Sequence, residues 1–193
     1  MPIRILVLFS LACLLAGNAF AADQDVVVTV REAGERFLVE ATIKAPVSQQ
    51  TAWDVLVDYD HMTSILGNLS ASQVISRKGN HLIIKQEGVV RYGLLSHSFQ
   101  VEREIRLEPM KRILTKNLSG SLKRMESEVR LKPSNNGPPV VIEYRAEFVF
   151  DSILAGLFAE SFLNHEVEEQ FQSMVAEMKR RDAQLISGAS GQP

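Results

Sequence analysis

Thiol chemistry is almost missing from this sequence of 193 residues, because Cys13 is its only cysteine. Cys13 lies in "ILVLFSLACLLA", an apolar run that follows Arg4 and precedes the small-x-small pair Ala19 and Ala21. This pattern predicts a secretory signal peptide over residues 1–21, too short to span a bilayer and cleaved after Ala21. Without that segment the chain has no disulfide, cysteine-ligated zinc or cysteine nucleophile. We therefore expect an exported protein, periplasmic or secreted.

The common catalytic and nucleotide-binding signatures are missing as well. There is no P-loop, no G-x-G-x-x-G, no G-x-S-x-G elbow and no H-E-x-x-H. His165 and Glu169 are spaced for a shared ion, but a solvated acidic helix face explains them better. A net charge of −2 offers no basic excess for nucleic acid. We predict no cofactor, no metal ion and no nucleic-acid partner, and only a Ser–His pair assembled in space stays open.

What the sequence does contain is ordinary globular composition, with 46% hydrophobic and 23% charged residues. That composition and length suit one domain with a buried core. We expect a single domain over residues 22–186. The last residues, "SGASGQP" (187–193), have the composition of a disordered tail.

The periodicity of the apolar residues changes three times along the chain. Residues 25–44 alternate as a strand pair around Gly34, and residues 48–66 have helical spacing with a break near Asp58. Period two returns from residue 70 to 150, with regular turns, and residues 151–185 form one long helical pattern. An antiparallel sheet needs a cover for its apolar face. The order predicts an α+β fold, in which a curved antiparallel sheet wraps around a long C-terminal helix and two short helices follow the first strands.

Two stretches resemble a known superfamily, the START-like helix-grip (SRPBCC) proteins. They are "IKAPVSQQTAWDVLVDYDHMTSIL" (43–66) and "SASQVISRKGN" (70–80), and the chain looks closest to the polyketide cyclase/dehydrase and coenzyme Q-binding branch. The resemblance covers about residues 36–182. Gly120 of a further motif is kept, whereas Ser121 and Leu122 replace the usual Asp and Phe. The resemblance implies that the 43–66 stretch is mainly architectural, with its aspartates solvated or capping.

Sorting the predicted strands by face gives a candidate binding site. One face is charged throughout, and the other is apolar with a few polar side chains, which is the usual make-up of a small-molecule cavity. The predicted ligand-binding residues lie on that apolar face or on the long helix that covers it. They are Gln86, Tyr92, Phe99, Val101, Arg103, Met125, Ser127, Ile142, Tyr144, Phe148, Leu154, Phe158 and Phe162.

Arg103 is the one cation on the apolar face, and burying it unpaired would be costly. It could meet the polar or anionic head of a ligand. It could equally pair with a carboxylate of the long helix, such as Glu166 or Glu169, or lie at the sheet rim.

These observations favour an exported START-like domain that binds a hydrophobic small molecule, such as a lipid, quinone or polyketide-like compound, between sheet and helix. An alternative is a cyclase or dehydratase in which Tyr92, Arg103 and Tyr144 polarise a carbonyl group. A third is an interaction module whose core is filled by side chains. A transient membrane contact and the oligomeric state stay open.

Overall fold

The computed structural model describes residues 25–92, 95–134, 137–150 and 160–189. The predicted signal peptide (1–21) and two predicted site residues, Leu154 and Phe158, lie outside these ranges, and so does the end of the predicted tail. Within the described ranges no helix is both long enough and apolar enough to cross a membrane.

Eight strands form one antiparallel sheet. In chain order they are β1 (Val26–Ala33), β2 (Arg36–Ala45), β3 (Leu69–Lys78), β4 (His81–Tyr92), β5 (Leu95–Glu108), β6 (Arg112–Gly120), β7 (Arg124–Ser134) and β8 (Gly137–Val149). Their order across the sheet is β1-β2-β8-β7-β6-β5-β4-β3. The strands from β3 to β8 are a meander, and β8 then pairs with β2, which came much earlier in the chain.

The strand pairing follows from the alternation in the sequence. Turns at Gly34 and Gly79 both place the glycine at positive φ, and the flanking strands leave each turn in antiparallel register. On the inner face, Val39, Ile43 and Ile142 are almost fully buried, whereas their sequence neighbours are more exposed. The predicted curved sheet around a helix is therefore confirmed.

Two short helices connect β2 to β3. Helix α1 (Gln49–Leu56) begins at Ser48, whose Oγ accepts a hydrogen bond from the Thr51 amide at 3.0 Å. A 3₁₀ helix (Tyr59–Ser64) follows directly. Trp53 is only 8% exposed and belongs to the main core cluster. The tryptophan therefore packs the helices onto the sheet, as the resemblance implied.

One long helix, α2 (Glu160–Ala189), covers the inner face of the sheet. It extends three residues into the segment for which we predicted disorder. The hydrogen bond from Ser187 Oγ to the Ala183 carbonyl spans one turn of this last stretch. Each residue added to an existing helix gains one hydrogen bond for the two dihedral angles that it fixes, so a helix can continue into a segment with the composition of a tail.

Candidate ligand-binding cavity

A cavity of about 170 Å³ lies between the first half of α2 and the β4–β5 end of the sheet. Its wall comes from the two long strands β4 and β5, the end of β8, the turn after β6, the segment before β3, and α2. The lining residues are Leu66, Asn68, Leu69, Gln86, Val90, His97, Phe99, Val101, Arg103, Ser121, Leu122, Phe148, Phe150, Phe162, Leu163, Glu166, Val167 and Gln170. A cavity of this size, lined mainly by apolar side chains, accommodates about one aromatic ring.

Six of the predicted site residues lie together on this wall. They are Gln86, Phe99, Val101, Arg103, Phe148 and Phe162. The β4–β5 register explains part of this grouping, because Gln86 lies opposite Val101 on the inner face. The side chain of Tyr92 lies outside the described part of the structure.

The other four predicted site residues lie elsewhere on the sheet. Met125 and Ile142 are buried in the packed core, with 4% and 0% exposure. Tyr144 packs edge-on against Phe171 of α2, with ring centroids 5.1 Å apart. Ser127 lies across from Ala146 in the β7–β8 register and offers a hydrogen bond to the Tyr144 side chain. These residues share the predicted face but are not among the residues that line the cavity.

Two glycines let neighbouring segments approach the wall closely. A Cβ on Gly88 would come within 2.2 Å of the Asn68 carbonyl oxygen and 2.8 Å of the Phe99 ring. A Cβ on Gly120 would come within 1.9 Å of the Gln100 carbonyl oxygen, and this residue has a φ of 111°. Only glycine fits such positions without displacement of the backbone.

Among the described lining residues, Arg103 is the one arginine or lysine. A series of hydrogen bonds holds its side chain. Its Nη1 donates to Gln86 Oε1 at 3.0 Å, and Gln86 Nε2 donates to Ser72 Oγ at 3.1 Å. Ser72 Oγ in turn donates to the Tyr59 carbonyl oxygen at 2.5 Å. These hydrogen bonds orient the guanidinium group, and the described groups that take part in them are uncharged.

No carboxylate of the described residues forms an ion pair with Arg103. Glu166 accepts a hydrogen bond from Asn68 instead, and Glu169 lies 3.6 Å from His165. The Nε of Arg103 is buried and has no hydrogen-bond partner in the described structure. Of the alternatives drawn from the sequence, the structure does not contain the ion pair with Glu166 or Glu169.

Two tyrosines lie near Arg103, the buried Tyr59 and the half-buried Tyr144. Burial raises the pKa of Tyr144 to about 12, although the charge of Arg103 opposes the shift. Burial likewise raises the pKa of Tyr59. Burial lowers the pKa of Arg103, while the two tyrosines act in the opposite direction. The phenols therefore stay neutral and do not compensate the guanidinium charge.

Among the described lining residues, Glu166 is the one carboxylate. Its Oε2 accepts a hydrogen bond from Asn68 Nδ2 at 3.3 Å, which joins α2 to the segment before β3. Burial raises the pKa of Glu166, and the nearby Glu169 adds to that shift. From the sequence, Glu166 was expected on a solvated helix face or beside Arg103. Its contact with Asn68 depends on how α2 is rotated about its axis, which the helical spacing does not reveal.

The aspartates of the "DYD" stretch have structural partners away from the cavity. Asp58 forms an ion pair with Arg181 at 2.7 Å and a hydrogen bond with His61 at 2.7 Å. Asp60 Oδ1 accepts a hydrogen bond from the Val74 amide, which caps the open edge of β3. The described residues contain no group of three or more His, Cys, Asp or Glu side chains arranged to hold a metal ion.

The cavity also includes residues that the sequence analysis did not select. Asn68, Ser121 and Leu122 lie in or beside turns, where alternation carries no information about which way a side chain faces. His97 lies on β5 two residues before Phe99, so strand alternation places it on the same face, although it was not selected. Leu163 and Val167 lie on α2, on the same face as the selected Phe162. The spacing of four residues between Leu163 and Val167 was the one sequence pattern that indicated a shared helix face.

The same arrangement of sheet and helix occurs in solved structures. The chain superimposes on the protein TTHA0849 from Thermus thermophilus with a TM-score of 0.62 and 16% identity, covering 75% of this chain and 98% of that one. For the Zhui aromatase/cyclase from Streptomyces sp. R1128 the TM-score is also 0.62, with 15% identity and 76% and 95% coverage. At these identities the similarity establishes the fold.

A STAR-related lipid transfer protein from Xanthomonas axonopodis is a third such structure. Its TM-score is 0.62 at 9% identity, over 81% of this chain and 94% of that fragment. A sequence search of curated proteins gives no match. Residues 45–175 match the family described as "Polyketide cyclase / dehydrase and lipid transport". This match spans α1, the meander and the first half of α2, and therefore the whole described cavity wall. The chain belongs to the polyketide cyclase/dehydrase and lipid transport family.

Proposed function

We propose that this protein is an exported domain that binds one hydrophobic small molecule in the cavity between the sheet and α2. The observation that carries the proposal is an apolar cavity with a few polar groups, which is how small-molecule sites are built. Membership of a family whose description names polyketides and lipid transport supports it. The leading apolar run of the sequence supports export.

The wall suggests how such a molecule would be held. Phe99, Phe148 and Phe162 offer ring surfaces, and Arg103 and Gln86 form the oriented polar end. Burial of the ligand's apolar surface would contribute roughly 25 cal/mol per Å². The polar pair would select the orientation, since a buried polar group of the ligand needs a partner.

The first test is native mass spectrometry of the protein purified from its own source, with organic extraction of anything bound. We expect a stoichiometric hydrophobic molecule. A companion titration with a short-chain fatty acid, a simple benzoquinone and a monocyclic phenol, all matched to the size of the cavity, covers a ligand lost in purification. A protein that carries no such molecule and binds none of the three would contradict the proposal.

Matched variants locate the binding to the cavity. Leu122→Trp fills the cavity from a turn, and Val101→Phe fills it from the middle of β5. Both should abolish binding of the extracted molecule while the protein stays folded. Leu185→Trp, at a position that is 66% exposed near the end of α2, is the control and should bind normally. Equal loss in all three variants would mean that binding does not occur in this cavity.

One observation favours a second function, acid–base catalysis on a bound hydrophobic molecule. Glu166 lines the same cavity as Arg103, and burial raises its pKa toward the range of a general acid. Tyr144, which the sequence suggested for polarising a carbonyl group, is not among the residues that line the cavity. If the domain is an enzyme, Glu166→Gln should keep ligand affinity and lose turnover of the extracted molecule. An unchanged rate in this variant would leave binding as the function.

A further inference from the structure

Arg103 has one unused edge, and that edge defines a class of ligand. The guanidinium group has five N–H donors, and the described structure uses only Nη1, which donates to Gln86. Nε is buried without a partner, and within the described ranges the hydrogen bond from Nη1 to Gln86 is the one that this side chain makes. The N–H bonds of Nε and Nη2 lie in the guanidinium plane and point the same way along one edge of it. Together they form a two-donor fork on a side chain that lines the cavity.

Within the described residues, no opposite charge compensates that of Arg103. Its neighbours are an amide and two phenols, and Glu166, the one carboxylate among the described lining residues, accepts a hydrogen bond from Asn68. Taking a cation out of water without an opposite charge costs several kcal/mol in general. The remaining cost can be offset by an anion that enters the cavity with the ligand.

Starting from the proposed function, we infer that the ligand is a hydrophobic carboxylic acid whose carboxylate binds the Nε and Nη2 edge of Arg103. A planar group with two oxygens matches the two parallel donors, so the contact is bidentate. The hydrogen-bond chain through Gln86 and Ser72 holds the guanidinium in place before the ligand binds. Phe99, Phe148 and Phe162 would contact the hydrophobic body.

The test compares two probes that differ only in the head group. Hydrocinnamate has a phenyl ring on a short chain with a carboxylate, and hydrocinnamyl alcohol has a hydroxyl in its place. Both match a cavity that holds about one ring. Calorimetric titration of the wild-type protein should show binding of the acid about tenfold tighter than the alcohol or better, because charge-assisted hydrogen bonds are the stronger kind.

Three variants separate the charge of Arg103 from its shape. Arg103→Met should weaken binding of the acid far more than binding of the alcohol, so that the preference for the acid is lost. Arg103→Lys keeps the charge without the fork and should retain only part of the preference. Arg106→Met removes an exposed arginine of the same strand and should behave as wild type.

Gln86→Glu tests the inference even if Arg103→Met folds poorly. It places a carboxylate where Gln86 Oε1 now lies, 3.0 Å from Nη1, and so supplies an internal counter-ion. We expect a melting temperature at or above that of the wild type and a loss of about tenfold in affinity for the acid alone.

The outcomes distinguish the two proposals. If acid and alcohol bind the wild type equally, the carboxylate inference is wrong and the binding cavity stands. If the acid is preferred but Arg103→Met and Gln86→Glu keep that preference, the carboxylate lies elsewhere and the inference is again wrong. If neither probe binds and extraction yields no hydrophobic molecule, both proposals fail together.

Discussion

Two stretches of α2 pack differently against the same sheet. In the packed end, residues 171–182, the side chains of Phe171, Met174, Val175 and Met178 are buried against the sheet and α1. The cavity end, residues 160–170, borders the cavity. A single helix on a curved sheet cannot fit both ends equally, so the sequence fills one end and leaves space at the other.

Polar contacts tie α2 to the rest of the fold at both ends, but they differ in kind. At the packed end, Arg181 forms an ion pair with Asp58 at 2.7 Å, and Asp182 accepts a hydrogen bond from Thr51 at 2.9 Å. At the cavity end, Glu160 accepts a hydrogen bond from the Glu32 amide, Asn164 donates to the Val28 carbonyl, and Asn68 donates to Glu166 at 3.3 Å. The comparison indicates that both ends are held, and that the packed end adds an ion pair to its apolar packing.

The largest expected effect comes from removing apolar volume at each end. Met178→Ala should lower the free energy of unfolding by about 2–5 kcal/mol, because a fully buried side chain leaves a new cavity. Leu163→Ala, at the existing cavity, should cost at least about 1 kcal/mol less, because Leu163 already lacks neighbours on one side. Denaturant unfolding of both variants measures the difference. Equal losses would mean that the cavity end is as tightly packed as the packed end.

Gly88→Ala should destabilise the cavity end alone. The new Cβ would collide with the Asn68 carbonyl and the Phe99 ring, at a cost of about 1–3 kcal/mol. Gly67→Ala is the control, since no atom lies within 4 Å of the Cβ it would add. Thermal unfolding of the two variants, with ligand titration of Gly88→Ala, checks the result. A neutral Gly88→Ala would show that the wall segment moves easily.

Arg181→Met should weaken the packed end in a pH-dependent way. Hydrogen bonds from Arg180 and Arg181 lower the pKa of Glu177 to about 2. Burial opposes the shift of Asp58, but Arg181 and His61 outweigh it and its pKa is lowered too. Carboxyl groups with a depressed native pKa stabilise the fold above their unfolded-state pKa and lose that contribution as the pH falls.

The cost of Arg181→Met at neutral pH should be about 1–3 kcal/mol, between the values for exposed and buried pairs. It should shrink as the pH falls from 4.5 toward about 2, where Glu177 becomes protonated in the native state. Urea unfolding at several pH values measures this. Arg145→Met, which removes an exposed pair with Glu40, is the matched control and should change little at any pH. A pH-independent loss in Arg181→Met would assign its role to packing.

The smallest expected effect is that of Glu166→Gln on stability. Burial raises the native pKa of Glu166, so its ionisation disfavours the fold. The penalty is absent below the unfolded-state pKa and grows as the pH rises through the native pKa. Glu166→Gln should match the wild type in acid and become slightly more stable toward neutral pH, while Glu168→Gln should not. Melting temperatures across this range test it, and a Glu166→Gln variant that is less stable at neutral pH would contradict it.

Periodicity predicted most of the fold, and it did so for a clear reason. Strand alternation in β4, β5 and β8 and the helical spacing of α2 depend on local geometry, so Gln86, Val101, Arg103 and Phe148 were assigned to the inner face correctly. The same reasoning could not separate them from Ile142 and Tyr144, which lie on that face too. Which part of the face stays open depends on where α2 touches it.

The sequence by itself determined the sheet, the covering helix, the apolar inner face and the presence of one arginine on it, because these follow from residue spacing and hydrophobicity. Only the tertiary structure decided that Arg103 donates a hydrogen bond to Gln86 rather than to a carboxylate, that Glu166 accepts one from Asn68, and that Tyr144 packs against Phe171. Each of those outcomes joins residues far apart in the chain. Each depends on the position and rotation of one helix on a curved sheet, which no local pattern encodes.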